Sequence, residues 1–300
     1  MWRPLTAVFL AFLFVRTGQA APQEIVVCTY NVENYTHAQP AGGSSPYGTR
    51  AKSEKSIAAL IGIIKEVNPD VLGICEMGSP ERFEDFKKRL NEAGLGYKDS
   101  EYLQASDPDR HLALVSRFPI VARNSAPDVP YVLNGQPEKM RRGILDVTIQ
   151  VNAGYQLRMV GVHLKSKLPV PQGEALIRRH EAQELRKHLT KILTAAPQTN
   201  LVCYGDFNDT KNEPMFAEIS GPKKSPTYMA DLWARDSVGD RWTYYWRPAD
   251  QYSRIDYIFV SPALFPEVVK TKSSVYRSED WQTASDHRPV SAAIIPLDQK

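Results

Sequence analysis

Short apolar runs recur along this chain, and each one delivers a polar or ionisable side chain at or near its end. Residues 25–30 end at Asn31, residues 71–75 end at Glu76, and residues 156–164 carry His163. Residues 254–261 contain Asp256, and the pair Asp286-His287 stands just ahead of the apolar run 289–295. Runs of this length, bounded by turn-forming residues, read as buried strands. The central example is 200–203, which leads into Tyr204-Gly205-Asp206-Phe207-Asn208-Asp209. In extended backbone Asp206 and Asn208 point the same way while Phe207 turns back into the core. Gly205 lets the chain bend there or a ligand approach closely. A carboxylate beside a carboxamide on one face suits a phosphate ester held near Mg²⁺. The same two residues also commonly cap turns.

Between these runs the periodicity changes. Ile57, Leu60, Ile61, Ile64 and Val67 keep helical spacing, which predicts an amphipathic helix over 50–67 stopped by Asn68-Pro69-Asp70. Ser79-Pro80 opens a second helix that stops at Gly94. Residues 112–115, 120–123, 143–151 and 156–164 read as strands, the last two as an antiparallel pair across Asn152-Ala153-Gly154. The longest helix is expected over 172–193, with Leu176, Ile177, Leu185, Leu189 and Ile192 on one stripe. His180 and His188 on it read as solvated surface. A short helix near 214–219 and a loop-rich segment to Ser253 follow. With 300 residues and no repeat or linker, this order of elements predicts one α/β domain built as a mixed-sheet sandwich.

Each polar strand end has an ordinary explanation when taken singly, as a turn residue, a surface ion pair or a satisfied histidine. Six of them in one arrangement are harder to dismiss, because ionisable groups at strand ends are costly unless they are used. The motifs Tyr30-Asn31-Val32-Glu33-Asn34, Ile74-Cys75-Glu76, Val162-His163-Leu164-Lys165, Gly205-Asp206-Phe207-Asn208, Arg254-Ile255-Asp256-Tyr257 and Ser285-Asp286-His287 carry the pattern. In this order the chain resembles the endonuclease/exonuclease/phosphatase superfamily, metal-dependent phosphodiesterases similar to deoxyribonuclease I, over about residues 24–296. The histidine at 163 is similar to the deoxyribonuclease-like and sphingomyelinase-like branches rather than the apurinic-site repair branch, which usually has tyrosine.

The resemblance implies a four-layer sandwich, two mixed β-sheets packed face to face with helices outside and a site at one edge. It implies Mg²⁺, with Mn²⁺ as the alternative ion, on Glu76 with Asn31 nearby and Asp286 completing the site. Asp206 with Asn208 would position the attacking water. His287, oriented by Asp256, would be a general base or a phosphate-binding imidazolium. His163 would stabilise the pentavalent phosphate or protonate the leaving oxygen. Lys165 and Arg142 are candidate substrate contacts. A nuclease is the reading, with a phospholipid or small phosphoester hydrolase as the alternative and a non-catalytic binder on the same fold behind both. Trp233, Trp242, Tyr244, Tyr245 and Trp246, interleaved with Arg235, Arg241 and Arg247, form either a stacking surface for single-stranded nucleic acid or aromatic packing under a loop.

Residues 1–20 have a basic start, an uncharged apolar run and small residues at Gly18-Gln19-Ala20, the pattern of a signal peptide. The apolar run is too short for a stable membrane span. The expectation is a secreted or periplasmic monomer formed by residues 21–300. Loss of Arg3 and Arg16 takes the 37 basic side chains to 35 against 34 acidic ones, so attraction to polyanions must come from local patches. Cys28, Cys75 and Cys203 each lie in an apolar run and are expected to be buried free thiols.

Overall fold

The computed structural model describes residues 24–37 and 51–297. The expected signal segment, and position 50 where the first helix was expected to begin, lie outside the described residues. In chain order the elements are β1 (Ile25–Tyr35), α1 (Glu54–Val67), β2 (Val71–Met77), α2 (Pro80–Glu92), β3 (Asp99–Leu103), β4 (His111–Ser116), β5 (Ile120–Arg123), β6 (Pro130–Leu133) and β7 (Gln136–Lys139). They continue with β8 (Leu145–Asn152), β9 (Tyr155–His163), α3 (Glu174–Ala195), β10 (Leu201–Asp206), α4 (Pro214–Ser220) and β11 (Ala230–Asp231). The last are β12 (Tyr244–Trp246), β13 (Gln251–Ser253), β14 (Asp256–Val260), β15 (Ser274–Val275), α5 (Trp281–Ala284) and β16 (Val290–Ile294).

Two six-stranded sheets result, ordered β15-β16-β1-β2-β4-β3 and β11-β14-β10-β9-β8-β5. Each holds one parallel pair at its centre, β1–β2 and β9–β10, among antiparallel neighbours. A parallel pair needs a crossover, and α1 and α3 provide the two. Parallel pairing also brings both members of a pair to one edge of its sheet. His163 and Asp206 end their strands together, and regular β1–β2 pairing stops at Asn31 and Cys75, although β1 runs on past the expected end to Tyr35.

Side-chain alternation separates the layers. Val27, Cys75, Leu157, Met159, Val202, Tyr204, Ile258 and Val260 fill the space between the sheets. Cys28, Tyr30 and Ile74 face the opposite way, onto Leu60, Ile64 and Phe86 of α1 and α2. Val160, Val162, Cys203, Tyr257 and Phe259 pack on Leu185, Leu189 and Ile219 of α3 and α4. Helices therefore cover both outer faces, and the expected four-layer sandwich is the fold. The three cysteines are free and buried. No helix among the described residues is long and apolar enough to cross a membrane.

Several expectations change in detail. Helix α1 starts at Glu54, because the Ser53 side chain accepts the Ser56 N–H and caps it there. Leu176 is exposed rather than part of the buried stripe of α3. His188 is not solvated surface: its Nε2 lies 2.8 Å from Asp146 Oδ2, which also takes Arg158. His180 stacks on Tyr131 at 5.6 Å. The β6–β7 hairpin and β3 were not expected, since β3 and β7 are largely polar and β6 alternates over only four residues.

Candidate active site at one edge of the sandwich

The site is the polar end of the inter-sheet layer. Asn31 continues the inward parity of Val27, Asp206 that of Val202 and Tyr204, His163 that of Leu157 and Met159, and Asp256 that of Ile258 and Val260. The register opposes Asp206 to His163 on one side and to Asp256 on the other. Gly205 is required here for a reason other than ligand approach. A Cβ on it would lie 1.9 Å from Val162 O, so a side chain would pry β9 from β10. Glu76 reaches the edge differently. Its φ is +64°, and the register of β2 shifts between Ile74 and Met77. The left-handed residue breaks alternation and swings the carboxylate over the sheet end, a local strain typical of functional positions. Glu33, Asn34 and Asn208 also have positive φ, at +46°, +52° and +52°.

Asn31 links the two sheets, with Nδ2 donating to Asp206 Oδ2 at 3.0 Å and to Glu76 Oε1 at 3.3 Å. Glu76 Oε2 accepts the Asn34 N–H at 2.9 Å and lies 3.6 Å from Arg110 Nε. Asp206 Oδ1 accepts the Asn208 N–H at 2.9 Å. Asn208 in turn donates from Nδ2 to Leu164 O at 3.1 Å, which ties the loop after β10 to the end of β9. His287 Nδ1 lies 2.9 Å from Asp256 Oδ2, while its Nε2 is 3.8 Å from Asp206 Oδ2 and 3.9 Å from Asp286 Oδ1. His163 Nε2 is 3.5 Å from Asp206 Oδ2 and 3.9 Å from Glu76 Oε1.

These contacts set the charges. Burial alone would lower the His287 pKa, but Asp256, Asp206 and the bond to Asp256 outweigh it and hold the ring well above the usual value, as an imidazolium. Burial pushes Asp206 up to about 7, with Asp256 adding to it while His287, the Asn208 amide and Asn31 oppose. His163 goes the other way. Burial, then the positive charges of Arg142 and Arg110, hold it neutral, so an imidazolium at 163 is not what this pocket favours.

The carboxylates also crowd one another. Asp286 is pushed up to about 7, by burial first; Glu33 and Glu76 add to this, against His287 and Lys52. Glu33 is raised by burial and by Glu76, against Lys52. Carboxylates that raise one another in this way fit a hard divalent cation, whose charge would relieve them. Asp206, Asp256 and His287 form the tighter set of ligand-type atoms, all within 4.8 Å of one another. A protonated His287 already bonded to Asp256 makes this set the poorer cation site.

A raised carboxylate pKa destabilises the fold above the unfolded value, so the metal-free protein loses stability as pH rises from about 4 through about 7. Asp286→Asn is therefore expected to raise the Tm of the metal-free protein at pH 8 by about 2 °C or more, with less gain at pH 5. It should also shrink the Tm increase caused by Mg²⁺. Calorimetry at both pH values checks this, and an unchanged Mg²⁺ response would refute it.

The remaining expected contacts lie close by. Arg142 Nη2 pairs with Asp107 Oδ2 at 2.9 Å, while its Nε and Nη1 are buried without a hydrogen-bond partner. Lys165 spends its ammonium on Ser166 O, Ser166 Oγ and Leu168 O, so its own loop engages it. Sequence reasoning missed the groups that position the rest. Ser285 Oγ donates to Asn31 O at 2.8 Å and accepts the His287 N–H at 3.0 Å. Thr243 Oγ1 accepts the Ile255 and Asp256 N–H groups. Arg178, buried on α3, binds Asp209 and Lys165 O, and Glu181 accepts the Lys165 N–H. Buried Arg and Glu on a helix otherwise lined with leucines were the available signal.

A metal-dependent phosphodiester hydrolase is what this fold and site define. The chain belongs to the endonuclease/exonuclease/phosphatase family, whose profile matches residues 28–287. Similar solved structures include the human Nocturnin catalytic domain with bound sulfate, at 19% identity and a TM-score of 0.63, covering 90% of this chain and 93% of that one. Truncated TDP2 of Caenorhabditis elegans is 17% identical, with a TM-score of 0.61 over 91% and 98% of the two chains. A family protein from Leptotrichia buccalis is 15% identical, with a TM-score of 0.63 over 90% and 99%. At such identities the likeness establishes the fold alone. No curated protein matches the chain in sequence.

Proposed function

We propose that the protein is an exported, Mg²⁺-dependent nuclease that hydrolyses nucleic-acid phosphodiester bonds by attack of water. The observation that carries this reading is the convergence of Asn31, Glu76, His163, Asp206, Asp256 and His287 from both sheets on one edge. Glu76, with Asn31 and Asp286, would hold the cation, which when bound neutralises charge on the phosphate oxygens. Asp206 accepts the proton of the attacking water, since a carboxylate poised near neutrality is a stronger base than an ordinary one. Asn31 and the Asn208 amide hold that carboxylate in place. The His287 imidazolium, kept charged by Asp256, donates Nε2–H to a non-bridging phosphate oxygen. Neutral His163 offers its Nε2–H on the other side of Asp206, where negative charge develops on the phosphorus oxygens.

Export rests on the sequence of residues 1–20, and a mature N terminus found after Ala20 in the extracytoplasmic fraction would support it. The substrate test uses purified mature protein with Mg²⁺, with and without EDTA, against DNA, RNA, sphingomyelin and an inositol phosphate. EDTA-sensitive cleavage of DNA or RNA is expected. Turnover of only the lipid or the inositol phosphate would replace the nuclease reading.

A further inference from the structure

The aromatic residues of 233–246 do not form one surface. Trp242, Tyr252, Tyr245 and Trp281 close a ring of contacts with centroids 4.7, 4.5, 5.7 and 4.9 Å apart, and Arg288 lies 3.5 Å over Trp242. That group packs on itself and braces the segment carrying His287. Trp233 stands apart from it. It is 52% exposed, with Lys211 Nζ 3.8 Å and Arg241 Cζ 4.2 Å from its ring centroid.

Trp233 borders a cleft of about 760 Å³ lined also by Lys211, Lys223, Lys224, Phe216 and Tyr228. The one acid in its wall, Asp231, is taken by both terminal nitrogens of Arg254 at 2.9 and 2.6 Å. No ion pair among the described residues involves Lys211, Lys223, Lys224 or Arg241. The cleft thus has a cationic rim without compensating charge on a chain whose mature net charge is close to zero. Lys211 lies three residues beyond Asn208, so one end of the cleft is joined to the candidate active site by a short stretch of chain.

We propose that this cleft is an extension subsite for single-stranded nucleic acid, holding nucleotides next to the scissile bond. Its size suits one or two nucleotides rather than a duplex. Lys223, Lys224, Lys211 and Arg241 take phosphates, and the half-buried rings of Phe216 and Tyr228 take base faces without reading sequence. The indole of Trp233 holds the Lys211 and Arg241 cations at fixed positions before substrate arrives. This inference rests on the nuclease reading and adds strand state and length dependence to it.

The test compares the wild type with the double variant Lys223→Glu/Lys224→Glu and with Trp233→Ala, on a long single-stranded oligonucleotide, a dinucleotide and a nitrophenyl phosphodiester. The wild type should prefer the oligonucleotide over the dinucleotide. The double variant should raise KM for the oligonucleotide about tenfold or more and flatten the salt dependence of binding by about 1.4 in log–log slope. Trp233→Ala should raise KM in the same direction, and both variants should cleave the nitrophenyl ester at the wild-type rate. Equal wild-type efficiency on oligonucleotide and dinucleotide, or equal losses on all three substrates, would overturn the subsite while leaving the nuclease reading intact. No cleavage of any nucleic acid by the wild type would overturn both.

Discussion

Glu76→Gln is expected to lower kcat on the order of 10³-fold, even at saturating Mg²⁺ or Mn²⁺, with the fold preserved. The carboxamide keeps one oxygen for the Asn34 N–H and the left-handed backbone that aims the side chain, but it gives up the charge a hard cation prefers. Turnover should fall together with cation affinity, which calorimetric titration of Mg²⁺ measures directly. Near wild-type turnover at saturating Mg²⁺ would remove Glu76 from the metal site. Full loss of turnover with undiminished Mg²⁺ affinity would move the cation to Asp206 and Asp256.

Asp206→Asn should cost about 10²–10⁴-fold in kcat, the usual range for loss of a general base. The pH profile separates this from mere disruption. Asp206 acts as a base when ionised, so activity rises with pH through its pKa. That acid limb should fall at or below about pH 7, because a cation on Glu76 pulls the value down from that of the metal-free pocket. In Asp206→Asn the limb should vanish from the residual activity. Asp256→Asn acts on the other side of the profile. His287 is charged because Asp256 and Asp206 overcome its burial, so losing Asp256 lowers its pKa and brings the alkaline limb to lower pH. An acid limb that survives Asp206→Asn unchanged would assign the base elsewhere. An unmoved alkaline limb in Asp256→Asn would dissolve the pairing with His287.

Much of the site was legible one strand at a time. An apolar run followed by Asn31, Glu76, His163 or Asp206 marks where the apolar layer gives way to the site, because a buried polar group is costly unless it finds partners. Alternation placed Asp206 and Asn208 on one face, but β10 ends at Asp206 and Asn208 turns away at φ +52° with its N–H on Asp206 Oδ1, so the turn-capping reading describes this pair. The order of motifs along the chain was enough for the family and hence for the sandwich.

The tertiary structure decided what depends on groups distant in sequence. Whether Asn31 touches Asp206, across 175 residues, follows only from two sheets meeting at one edge. Glu76 needed a left-handed residue to reach that edge, and a carboxylate in that conformation has no local sequence signal. The charge states are collective for the same reason: burial disfavours charge on both His287 and His163, yet Asp256 and Asp206 overcome it at one while Arg142 and Arg110 add to it at the other. The aromatic stretch 233–246 was undivided in sequence. Trp242 and Tyr245 joined a self-packed brace, Tyr244 packed on His287, and Trp233 became a cation-flanked ring only when Trp281, His287 and Lys211 arrived from elsewhere in the chain. Sequence by itself determined where the apolar strands lie and which of their residues face the core, since both follow from local alternation and burial. Partners, protonation and the shape of the surface came from packing, because each is set by atoms that neighbouring residues in the chain do not supply.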